Sequence, residues 1–176
     1  MQFNVHGNLE GGVIDVREKS EIEDFLVNGF RTSTTRHRNF ESFCSFWSEL
    51  DKNKVTRVWI DGSFCSNKVD PNDIDCVVFI EPDPNNCEYF QLLRNKHEEL
   101  LDKYLDVYVC WDKNFFVQFS KEWYEIDYQE TYWLGKFGFD RNHNPKGIIE
   151  LDKEVVLWVQ NEKYLKIERI KFLMMN

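Results

Sequence analysis

Two short apolar runs constrain this chain more than anything else in it. Val55–Ile60 and Ile74–Ile80 are dense in Val, Ile and aromatic residues, and each is too short for a helix that could stand on its own. The first stops at Asp61-Gly62 and the second at Pro82 and Pro84. Runs of this kind read as strands buried on both faces, with other elements packed above and below them. A third run, Tyr104–Cys110, reads the same way, although Asp106 interrupts it. The spacing predicts helices over Ser20–Asn28, Thr32–Lys52 and Asn86–Lys103. For the first, Ser20 to Glu23 supplies a capping box. The second carries Phe40, Phe43, Cys44, Trp47 and Leu50 on one stripe. Strands alternating with helices make an α/β core.

The polar residues at the mouths of these strands are the chemically informative ones. Residues i and i+2 of a strand point to one side, so Asp73 and Asp75 present two carboxylates together. Like charges at that spacing repel, and a hard divalent cation with oxygen ligands relieves the repulsion. Asp106 needs its own explanation, being charged within an apolar strand. If its strand lies beside that of Asp75, three carboxylates share one site, enough for the two metals of phosphoryl chemistry. Gly62-Ser63 adds a tight turn that lets a backbone approach a phosphate, with the Ser63 hydroxyl as a donor. The bland alternatives are a solvated Asp-x-Asp turn, a helix-capping Ser63 and an edge-exposed Asp106.

The order of strand, Gly-Ser, spacer, Asp-x-Asp strand and a later strand Asp resembles the nucleotidyltransferase superfamily, which has the fold of DNA polymerase β. Within it the chain is most similar to small uncharacterised bacterial domains of the minimal nucleotidyltransferase type. The likeness rests on VWIDGSF, PNDIDCVV and LDVYV, and extends to GNLEGG and WLGKFGFDRNHNPKGIIEL. It implies a small mixed α+β sheet with helices packed on it. It also implies Mg²⁺- or Mn²⁺-dependent transfer of a nucleoside monophosphate from an NTP. Asp73, Asp75 and Asp106 would be the catalytic, metal-holding carboxylates, with Gly62 and Ser63 on the phosphates. Lys68, Arg141 and Lys146 are further phosphate candidates; Arg141 and Lys146 read equally as turn charges, and Lys68 reads first as an ordinary loop lysine. The acceptor would be a protein, a small molecule or an RNA end. Small domains of this type resemble the antitoxin half of toxin–antitoxin pairs, so a partner toxin or a phage-defence role is implied. The alternative is a module that keeps the fold and has lost turnover.

The chain of 176 residues suits a single domain, with a helical part at about 20–52, a core at about 55–111 and a C-terminal part at about 112–176. In the last part Phe115–Ile126 is helical or irregular, Asp127–Asp140 is a helix ending near Phe137-Gly138, Lys146–Leu151 is a strand, and Asp152–Met175 is mostly helix. A net charge of −9 speaks against a broad nucleic-acid surface. Five cysteines without a CxxC pair are expected to be reduced thiols in the cytoplasm, with Cys44, Cys76 and Cys110 buried and Cys65 exposed. No membrane span and no secretory signal are expected.

Overall fold

In the computed structural model the apolar runs lie side by side in one sheet. The structure describes residues 1–153 and residue 155. Five strands are present among them: β1 (Val13–Asp15), β2 (Val55–Asp61), β3 (Ile74–Ile80), β4 (Leu105–Trp111) and β5 (Ile148–Asp152). Their order across the sheet is β1-β5-β2-β3-β4. β2 runs antiparallel to both β3 and β5, whereas β3–β4 and β1–β5 are parallel pairs. The fold is therefore mixed α+β, built on a five-stranded mixed sheet.

The helices are α1 (Lys19–Ile22, widening into a π-type turn over Glu23–Asn28), α2 (Arg36–Glu49), α3 (Cys87–Asn95), α4 (His97–Leu101) and α5 (Lys121–Phe137). On one side of the sheet Val58, Ile60, Cys76, Val78 and Val107 pack with Leu26, Phe40, Phe43, Trp47, Phe90 and Leu100 of α1–α4. On the other, Trp59, Val77, Phe79 and Cys110 pack with Phe137, Trp133 and Leu134 of α5. Both faces of β2 and β3 are covered, which is why those strands read as unbroken apolar runs.

Several details differ from expectation. α1 begins at Lys19, and its capping box is formed by Glu18 and Glu21, not by Ser20. The helix expected over 86–103 breaks at Lys96, whose amide is shared between the carbonyls of Leu92 and Leu93. α5 is one helix of 17 residues where the sequence reading divided it at Asp127. Arg57 anchors the middle of this helix to the sheet: Nη2 donates to the buried Glu130 Oε2 at 2.7 Å. The same guanidinium binds Asp112 and Glu150 and stacks 3.8 Å from the Phe79 ring. Strand β1 was not anticipated. Three residues after Gly11-Gly12 carry too little pattern to read, and β5 supplies the pairing. Cys65 is fully buried, with its thiol directed at the Ile60 carbonyl 3.4 Å away, whereas Cys87 is the exposed thiol. The helix expected over 152–175 falls outside the described residues but for its first positions, where Asp152 closes β5. No helix among the described residues is long and apolar enough to cross a membrane.

Candidate functional site

Strand register decides which carboxylates meet. Asp61 at the end of β2 is the direct partner of Asp75 in β3, and Asp75 is the direct partner of Asp106 in β4. Direct partners point to the same face of a sheet. The three side chains therefore form one row across three strands, on the face that α5 covers further along. Asp73 precedes β3 and joins the row from its open end. Of these four, the sequence reading missed Asp61. Its signal was alternation, since Asp61 shares the face of Trp59.

The row is strained electrostatically, as packed carboxylates must be. Asp61 is 1% exposed, and burial pushes its carboxyl up to about 8. Lys146 opposes that shift, its Nζ lying 3.1 Å from Asp61 Oδ2 and 3.4 Å from the Gly62 carbonyl. Asp75 is pushed up to about 6 by burial and then by the charges of Asp73 and Asp106. Asp73 is also raised, by burial first and by Asp106 next, with Lys68 pulling the other way. Asp106 accepts a hydrogen bond at Oδ2 from the Tyr108 hydroxyl, at 2.9 Å. Its Oδ1 is buried and accepts none, the nearest ring nitrogen being His97 Nδ1 at 3.8 Å.

The turn after β2 is shaped around Asp75. Gly62 has φ +74°, a conformation that side-chain-bearing residues rarely take. A Cβ added there would run into the Asp75 carboxyl, 2.6 Å from its Cγ. Glycine thus lets the backbone of the turn touch the carboxylate row. Gly62–Cys65 then forms a single 3₁₀ turn in place of the helix expected at Ser63. That turn and the following loop hang on Arg36 of α2, which is fully buried. Its Nη1 donates to the carbonyls of Leu26 and Phe64, and its Nη2 to those of Ser66 and Lys68, at 2.6–2.9 Å. Among the described residues no carboxylate bonds this guanidinium directly, and burial lowers it to about 10.

The remaining expected residues divide. Lys68 is exposed on the spacer loop and acts electrostatically on Asp73. Lys146 reaches the site but turns its ammonium to Asp61, with its side chain only 10% exposed. Arg141 stands exposed in the turn that Asp140 organises by accepting from the Asn142 and Asn144 amides. Among the described residues, no three His, Cys, Asp or Glu side chains are gathered into a ready metal cluster. The donors nevertheless fit a hard cation in kind: carboxylate oxygens that repel one another, with Asp106 Oδ1 and both Asp61 oxygens buried and accepting no hydrogen bond among the described residues.

A family model described as a family of unknown function, DUF6932, matches residues 1–152. No curated protein and no solved structure matches the chain.

Proposed function

Since the chain belongs to this family of unknown function, the site itself must supply the argument, and we propose that it is a metal-dependent nucleotidyltransferase with the polymerase β type of fold. The observation that carries the reading is the row of Asp75 and Asp106 in direct register, with Gly62 closing onto Asp75. Asp73, Asp75 and Asp106 would hold Mg²⁺ or Mn²⁺, which when bound neutralises charge on a polyphosphate and on the oxygens exchanged at phosphorus.

The chain's own residues account for the rest of the chemistry. Gly62 brings backbone close to the carboxylates, where an NTP tail can lie without a side chain in its way. Ser63, half-buried in the 3₁₀ turn, offers its hydroxyl to the same tail. Lys68, on the loop beside Asp73, adds positive charge at the open side. Lys146 keeps Asp61 paired, so that the bottom of the site does not add a further free negative charge. The Asp106 carboxylate, partly open to solvent and held at Oδ2 by the Tyr108 hydroxyl, takes the proton of the attacking hydroxyl.

The test is transfer of label. The protein is incubated with α-labelled NTPs, Mg²⁺ or Mn²⁺ and cell lysate. The expected result is a labelled acceptor that disappears with Asp73→Asn and Asp75→Asn together. The reading is overturned by an absence of label, or by label that survives both substitutions.

A further inference from the structure

The sheet gives the site a direction. Across it the order is the Gly62 turn at the end of β2, then Asp75, then Asp106, and then the outer edge of β4. Beyond that edge lies a groove of about 780 Å³ between α3–α4 and α5, within the size range of small-molecule sites. The groove and the carboxylate row are joined. Tyr108 lines the groove and donates to Asp106, and His97 lines it with Nδ1 3.2 Å from the Val107 carbonyl and 3.8 Å from Asp106 Oδ1. A molecule in the groove therefore meets Tyr108 and His97, the two side chains beside Asp106, on the side away from the Gly62 turn.

We infer that this groove holds the second substrate of the reaction proposed above, an acceptor of mononucleotide size whose hydroxyl faces Asp106. The inference rests on that proposed reaction. The lining supplies three kinds of recognition. Tyr108 and Trp133 pack on each other with ring centroids 4.3 Å apart, and the exposed ring of Tyr132 stands edge-on to Trp133 at the rim of that wall. Rings arranged so stack on a nucleobase whatever its identity. The Gln91 and Gln129 amides lie on the two walls and can bond a base edge. Arg94 sits on the α3 wall and suits a phosphate. One planar ligand with one anionic group fits this set, and the acidic balance of the chain tolerates it better than a long polyanion.

The step balances within the proposed chemistry. The acceptor hydroxyl oxygen bonds to the α-phosphorus of the NTP, and the bond from that phosphorus to its bridging oxygen breaks. Pyrophosphate leaves, and the hydroxyl proton passes to the Asp106 carboxylate, which Tyr108 holds at Oδ2.

The probe is 5′-AMP, titrated calorimetrically into the full chain without metal or NTP. Tyr132→Ala and Arg94→Ala both change exposed side chains, and each is expected to weaken AMP by about tenfold. Asp75→Asn, outside the groove, should bind AMP as the wild type does while transferring no label. The inference is overturned if AMP does not saturate the protein, or if both groove variants bind it unchanged. It is also overturned if α-label passes to a lysate protein equally well in Tyr132→Ala and Arg94→Ala, which would make the acceptor a protein surface held elsewhere. Groove-dependent AMP binding with no label transferred to anything, AMP included, would instead sink the transferase reading and leave a nucleotide-binding groove.

Discussion

Replacing Asp75 by Asn should make the protein more stable at pH 8 and silence it. The side chain keeps its shape and loses its charge. In the fold the Asp75 carboxyl is raised from 3.8 to about 6 by burial and by Asp73 and Asp106. A folded state that holds its proton more tightly than the unfolded chain loses stability as pH rises between those two values. Above the higher value the loss is constant. The ionised aspartate thus costs the fold about 3 kcal/mol at pH 8 and about 1 kcal/mol at pH 4.5. Urea unfolding in EDTA at both pH values measures it. The Asn variant should exceed the wild type by a margin that grows from about 1 to about 3 kcal/mol between pH 4.5 and 8. Millimolar Mg²⁺ or Mn²⁺ should narrow the gap by raising the wild type alone, since a ligand of the native state stabilises by mass action. A variant less stable than the wild type at pH 8, or a margin independent of pH, would refute the picture of a repelling carboxylate row.

Two further substitutions probe the turn and its support. Gly62→Ala forces a Cβ into the Asp75 carboxyl at a left-handed φ, and should cost about 2–3 kcal/mol in urea melts and remove any stabilisation by metal. Gly135→Ala, in α5 with open space around the added methyl, is the matched control and should gain about 0.5–1 kcal/mol. Arg36→Met leaves four carbonyls without their donor, two of them buried and two part-buried, and should cost about 2–4 kcal/mol, read as a lower urea midpoint with an unchanged slope.

The parts legible in the sequence were those with a repeated physical pattern. β2 and β3 announced themselves because burial on both faces leaves continuous apolar runs, and β4 did so as a shorter apolar run broken by Asp106. The aromatic stripe of α2 announced itself through its spacing. Asp73, Asp75 and Asp106 were legible as charges where the pattern called for none, and the register of β3 with β4 brings the last two together. What escaped were residues whose meaning depends on a distant partner. Arg36 lies one turn before Phe40 on the buried face of α2, where a long cationic side chain reads as surface until the carbonyls of the 64–68 loop are known. Glu130 reads as an ordinary helix charge until Arg57, 73 residues away, is placed against it. Asp61 looks like part of a turn until Lys146 arrives from the far end of the chain. Lys146 itself was counted as a phosphate candidate, and its closeness to Asp61 could not be read from local spacing.

The pairing of β3 with β4 has a consequence for how such a protein can diverge. The two strands are joined through α3 and α4, and that connection contributes neither Asp75 nor Asp106. Residues can be gained or lost between Glu81 and Tyr104 while both aspartates keep their rung. A single residue inserted within either strand between its carboxylate and the rest of the ladder would send one aspartate to the opposite side of the sheet, among Ile60, Val78 and Val107. Length variation in descendants of this chain is thus channelled into the crossover, and the strands themselves are held to a fixed count.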